Sequence, residues 1–187
     1  MAIYLDNAAT TRLDDEVIEA MLPLMREQFG NPSSIHSLGR ITRSAIEKSR
    51  KTVASLLNVS PSEIFFTSGG TEANNMAIVR SIEDFGLKHA ITSPTEHHAV
   101  LHTLEHLAEE GKIELSILNV DEKGNVDLAQ LEELLKTKPR SLVSLMHANN
   151  EIGTRLPLKE VATLVKSYNG IMHCDTVQTM GHYKFDL

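Results

Sequence analysis

The sequence predicts an α/β fold of three layers, a mostly parallel sheet with helices on both faces. Three observations predict it. Short apolar runs alternate with amphipathic stretches in strand–helix order, the signature of a covered parallel sheet. Several of the short runs are nearly all apolar, as strands buried on both faces are. Glycine, histidine, asparagine and aspartate collect just after the apolar runs, and in such sheets the ligand crevice lies beyond the carboxyl ends of the strands.

The elements follow in chain order. Asp14–Phe29 has Val17, Ile18, Met21, Leu22, Leu24 and Met25 at helical spacing, opened by Asp14, Asp15 and Glu16 near the positive end of a helix dipole. Gly30-Asn31-Pro32-Ser33-Ser34 is a turn-rich break. A second helix is expected over Gly39–Leu57, on Ile41, Ala45, Ile46, Val53, Leu56 and Leu57. Strands are expected at Glu63–Ser68, His89–Ser93, Ile113–Val120, Ser141–His147 and Ile171–Asp175. Helices are expected between and after them at Thr71–Phe85, His97–Glu110, Asp127–Lys136 and Leu158–Tyr168. There is no internal repeat, low-complexity stretch or interdomain linker.

Of 187 residues, 41% are hydrophobic and 23% charged, an ordinary globular balance and far from a disordered one. The net charge of −7 with no basic run argues against nucleic acid or an anionic membrane as partner. No window reaches the roughly 18 to 20 apolar residues of a membrane span. Met1–Asp6 lacks the basic and apolar regions of a signal peptide. The single cysteine, Cys174, excludes an intrachain disulfide and any all-cysteine metal site. A soluble, cytoplasmic protein is expected.

The residues after each strand carry the chemistry. Thr67-Ser68-Gly69-Gly70-Thr71 turns sharply into a helix, whose free N–H groups suit a phosphate. It is neither a P-loop nor Gly-x-Gly-x-x-Gly, and a plain turn capped by Thr71 has the same sequence signature. Pro94-Thr95-Glu96-His97-His98 sets a flat imidazole over the crevice, able to stack on a ring or move a proton. His98, His102 and His106 share a helical face, the spacing of a zinc site; the Glu of His-Glu-x-x-His is missing, and no metal site is assigned. Asn149 and Asn150 offer neutral hydrogen bonds to a ligand or close an Asx turn. Asp175 ends an apolar strand with no basic neighbour in sequence. Its charge calls for a protonated heterocyclic nitrogen, a distant arginine or a capping role.

Together a phosphate turn, a stacking histidine, an asparagine, a ring-nitrogen aspartate and a glutamine describe a pyridoxal phosphate pocket. Leu5-Asp6-Asn7-Ala8-Ala9-Thr10-Thr11, Gly30–Ser34, Thr95-Glu96-His97, Asn149-Asn150-Glu151-Ile152-Gly153 and Asp175-x-x-Gln178 resemble the cysteine desulfurases. These are class V aminotransferase-like enzymes, and the resemblance runs from Tyr4 to Leu187. It implies the large domain of a fold-type I pyridoxal phosphate enzyme, incomplete here, with an N-terminal arm over 1–13 and the partial cofactor domain over 14–187. Gly70 and Thr71 would hold the phosphate, and His97, counted as catalytic, would stack on the pyridine. Asn150 would lie at the phenolic-oxygen side and orient the substrate carboxylate. Asp175 would pair with the pyridinium nitrogen and Gln178 with the phenolic oxygen. The Asp6–Thr11 segment would lie near the active site of a homodimer. The implied reaction takes sulfur from L-cysteine, giving L-alanine and a persulfide, with a sulfur-acceptor or scaffold protein as partner in iron–sulfur cluster assembly.

The resemblance also implies that the cofactor-linking lysine and the nucleophilic cysteine lie beyond Leu187, so that this chain alone is inactive. Lys184 does not match that lysine. Cys174 is expected inside a buried strand as a small apolar residue. Selenocysteine lyase or another class V lyase shares these cofactor contacts. A non-catalytic, partner-dependent half of a split protein is the alternative of another class.

Overall fold

The computed structural model describes residues 3–187. The chain divides into two compact units, residues up to Phe66 with Tyr183–Leu187, and Thr67–His182.

The first unit holds α1 (Asp15–Glu27) and α2 (Ser37–Leu57). Asp15 and Glu16 occupy the first turn of α1 as expected, and its apolar side chains, Met25 among them, are exposed. Two devices define the ends of α2. His36 Nδ1 accepts from the N–H of Gly39 at the start, and Asn58 takes the left-handed conformation at the end. Asn58 also donates from its amide to Asp186 Oδ1, tying the last residues of the chain to this unit.

The strand expected over Glu63–Ser68 does not form. Pro61–Glu63 is a short 3-10 turn closed by a Ser60–Glu63 capping box. Ile64 beyond it is extended, but the segment pairs with no strand among the described residues. Apolar β-branched and aromatic residues favour an extended backbone; the ladder itself needs a neighbour from elsewhere in the chain. Here the Ile64 carbonyl accepts from the Arg50 guanidinium, which also sits 4.9 Å from the Phe66 ring centre.

The second unit is a four-stranded parallel sheet between two helical layers. Its strands are β1 (His89–Thr92), β2 (Glu114–Ile117), β3 (Ser141–Ser144) and β4 (Ile171–His173), in the order β2-β1-β3-β4. The helices are α3 (Gly70–Asp84), α4 (His98–Glu109), α5 (Leu128–Thr137) and α6 (Leu158–Ser167), all within a residue or two of expectation. The strands are shorter at their carboxyl ends than the apolar runs that announced them.

Strand alternation sorts the core into two halves. Ala90 and Leu142 face α3 and α4, where Ile78, Ile82, Val100, Leu104 and Leu107 close over them. Ile91 and Val143 face α5 and α6, against Leu131, Leu135, Val161 and Val165. The central strands β1 and β3 are wholly buried, although His89, Thr92, Ser141 and Ser144 are polar. His89 is the largest of these buried polar side chains. Its two ring nitrogens bond to Ser141 Oγ (2.7 Å) and Ser116 Oγ (2.8 Å), one on each neighbouring strand. Burial holds its pKa below the usual imidazole value, so it is a neutral cross-strand tie.

Leu142 has no exposed surface and sits between β3 and the α3–α4 layer. Leu142→Ala is expected to cost about 2–5 kcal/mol of stability through the cavity it leaves, read as a lower urea midpoint at unchanged slope.

Candidate functional site

The strand order fixes where a site can be. From β1 the chain crosses to β2 on one side, then returns through α5 to β3 on the other. The switch point therefore lies between the carboxyl ends of β1 and β3. The turn after β1 carries Ser93–His97, and the turn after β3 carries Leu145–Asn150.

Side chains bind these two turns together. Glu96 Oε1 accepts from the Met146 N–H at 2.6 Å. Asn149 Nδ2 donates to the Thr95 carbonyl at 2.8 Å, while Asn149 Oδ1 accepts from the N–H groups of Glu151 and Ile152. Asn149 is thus the Asx-turn residue of the pair. The carboxamide of Asn150 makes no side-chain hydrogen bond among the described residues and lines a cavity of about 230 Å³ with His97, His98 and Glu96.

His97 is not the first residue of α4 but its N-cap. Its Nδ1 accepts from the Ala99 N–H at 3.1 Å, which leaves the proton of a neutral ring on Nε2 and fixes the imidazole at the crevice rim. The helix begins one residue later than expected because the ring satisfies an N–H that would otherwise be orphaned.

At the mouth of α3, Gly69 is the N-cap and no side chain caps the helix. Thr71 is therefore a first-turn residue and not the cap; its hydroxyl makes no hydrogen bond among the described residues. The Ala73 N–H closes the first turn onto the Gly69 carbonyl, so the N–H groups of Gly70, Thr71 and Glu72 lie ahead of it. Glu72 reaches back to the Ser68 N–H and Oγ, which holds its carboxyl below the usual range. A Cβ on Gly70 would stand 3.0 Å from Val177 Cγ2, so glycine keeps this approach open.

Asp175 follows β4 and is only 7% exposed. Its Oδ2 accepts from Asn74 Nδ2 at 2.7 Å and its Oδ1 from the Val177 N–H at 2.9 Å. No arginine meets it: Asp175 takes part in none of the ion pairs among the described residues. It lines an open cavity of about 350 Å³ with Gly70, Asn74, His173 and Cys174. Burial holds the His173 imidazole below its usual pKa and so uncharged. The carboxylate of Asp175 therefore has neutral neighbours and a cavity in front of it. Asn74 gave no signal in the sequence, because a mid-helix asparagine becomes a carboxylate ligand only when α3 packs over β4.

Cys174 is not inside a strand, since β4 stops at His173, and the residue is half-buried. Burial, with the Glu96 and Asp175 carboxyls nearby, pushes its thiol up to about 12, so the thiolate needed for attack is scarce. Gln178 lies in the turn Thr176–Met180 that follows Asp175. The histidine row holds two close rings, His98 and His102 at 4.9 Å, while His106 pairs with Glu110. No group of three or more metal-binding side chains is assembled among the described residues.

A doubly wound parallel sheet with an anion-ready helix mouth, a capping histidine and a buried carboxylate facing a cavity defines a cofactor-binding α/β domain. Residues 3–187 match the aminotransferase class-V model, and the chain belongs to that family of pyridoxal phosphate enzymes. It is 50% identical over 183 residues to the cysteine desulfurase IscS of Dictyoglomus turgidum, covering 96% of this chain and 46% of that protein. The solved structure of a NifS-like protein superposes with a TM-score of 0.93 at 44% identity, over 100% of this chain and 52% of that one. A structure of SspA in complex with cysteine superposes at 0.90 with 32% identity, over 98% and 53%. The chain spans about half the length of the relatives it matches.

Asn149→Ala removes the acceptor of two N–H groups and the tie to Thr95, and is expected to cost about 1–3 kcal/mol. Asn150→Ala is expected to stay within about 0.5 kcal/mol of the parent. Urea unfolding of the two variants side by side checks the pair.

Proposed function

We propose that this chain is the N-terminal, cofactor-holding portion of a cysteine desulfurase. The whole enzyme removes sulfur from L-cysteine, leaving L-alanine and an enzyme persulfide that feeds iron–sulfur cluster assembly. The observation that carries the reading is Asp175, a buried carboxylate with neutral partners facing a cavity that begins at the mouth of α3. An uncompensated buried charge is costly, and a protonated ring nitrogen is the partner that would offset it.

Pyridoxal phosphate, when bound, supplies a ring that accepts electrons from the substrate's α-carbon. The residues present fit it. Asp175 holds a proton at the ring nitrogen, and Asn74 and the Val177 N–H fix the angle of the carboxylate. The N–H groups of Gly70 and Thr71, with the uncommitted Thr71 hydroxyl, take the phosphate at the positive end of α3. His97, oriented by its cap bond, covers the ring face. Gln178 and the carboxamide of Asn150 serve the phenolic-oxygen side and the substrate carboxylate. The desulfurase identity rests on the IscS and NifS-like relatives, and L-cysteine on the cysteine-bound neighbour. Dimerisation with a second copy, a sulfur-acceptor or scaffold protein and a cytoplasmic location complete the proposal.

The Asp175→Asn and Thr71→Ala variants separate the two anchors. In a desulfurase carrying this sequence as its N-terminal portion, Asp175→Asn is expected to lower turnover at least about tenfold while bound cofactor falls less, because asparagine cannot hold the ring proton. Thr71→Ala is expected to lose cofactor more readily and to recover turnover when cofactor saturates. Absorbance of bound cofactor and alanine release measure both. Normal turnover in Asp175→Asn makes Asp175 a structural strand-end residue and removes the centre of this reading.

A further inference from the structure

Among the described residues, Glu96 is the buried acid that the roles above leave unused. It is 7% exposed, and of its two oxygens only Oε1 is bonded, to the Met146 N–H at 2.6 Å. Oε2 is buried without a partner. The side chain stands at the switch point, and it lines two cavities at once. One is shared with His97, His98, Asn150 and Glu151; the other, of about 160 Å³, is shared with Ser93, Met146, Asn149 and Arg155. Asp175 acts on it electrostatically from the end of β4, and Glu96 in turn bears on the Cys174 thiol there.

We propose that Glu96 is a positioning residue that works as an un-ionised carboxylic acid, pinning the His97 turn to the Met146–Asn150 turn. The geometry demands the neutral form. An ionised carboxylate with one bare, buried oxygen is heavily penalised, whereas the acid keeps its carbonyl oxygen as acceptor for Met146 and carries its proton on the other. Burial first, and the Asp175 charge after it, push the Glu96 carboxyl up to about 8, while the Met146 bond pulls the other way. Two carboxylates close together in a low-dielectric site do not both ionise readily, and Asp175, with two hydrogen bonds from donors, is the better solvated of the pair. The inference rests on the proposed function only for what His97, Asn150 and Asp175 do once placed.

The test uses this chain without cofactor, so that its failure is distinct from failure of the desulfurase reading. Carbon-13 NMR of the glutamate carboxyls, with the Glu96 signal assigned by its loss in Glu96→Gln, is expected to show a midpoint near 8. A midpoint in the ordinary carboxylate range overturns the proposal. The linkage has a definite sign. An acid whose folded pKa is raised keeps its proton when folded and loses it when unfolded, between the ordinary carboxyl value of 4.5 and about 8, so stability falls as pH rises through that window. Glu96→Gln, neutral at every pH, is expected to gain thermal stability over the parent progressively from pH 4.5 to 8; parallel curves count against the proposal. Exchange of the Met146 amide completes it. Protection is expected to survive in Glu96→Gln, and to fall at least about tenfold in Glu96→Ala, which removes the acceptor. Equal loss in both variants, or in neither, refutes the positioning role.

Discussion

Parallel pairing of β1 with β3 and of β3 with β4 brings three carboxyl ends to one edge of the sheet, and every candidate site residue after Thr71 depends on that alignment. Each pairing is held by a continuous apolar face on both sides. Ala90 and Leu142 lie under α3 and α4, and Ile91 and Val143 lie under α5 and α6. Because both faces are buried, a slip of register by one residue would exchange the two sets of side chains and satisfy neither layer. The turns that follow the strands inherit their positions from this constraint.

Within that frame the site is arranged by unlike solutions to one problem, the cost of polar groups at buried strand ends. Asn149 satisfies four partners and becomes part of the scaffold. Asp175 accepts only from neutral donors and faces a cavity. Burial lowers the pKa of His173 and His147, so neither imidazole brings a positive charge to that end of β4.

Much of this was legible in the sequence, for local reasons. Buried parallel strands read as apolar runs, and the helices read from their 3.6-residue spacing and from caps such as Asp127, whose carboxylate takes the N–H groups of Ala129 and Gln130. Asp175, His97 and the Gly69–Gly70 turn stood out because their residue types are expensive or unusual after an apolar run. The Glu63–Ser68 run misled for the opposite reason. Its composition is strand-like, but a ladder is made between segments, and composition carries no information about a partner.

The sequence by itself determined the α/β class, the order of elements from α3 onward, the family and the residues that carry charge or flexibility at the strand ends. All of these follow from periodicity, propensity and motif, which act over a few residues. Only the tertiary structure decided that Asn74 supports Asp175 across 101 residues of chain, that Glu96 reaches the Met146 N–H across 50, and that Asn149 builds the turn while Asn150 lines a cavity. Those choices depend on which donors meet which acceptors once water has been excluded. Packing of distant segments sets that outcome, and local sequence does not.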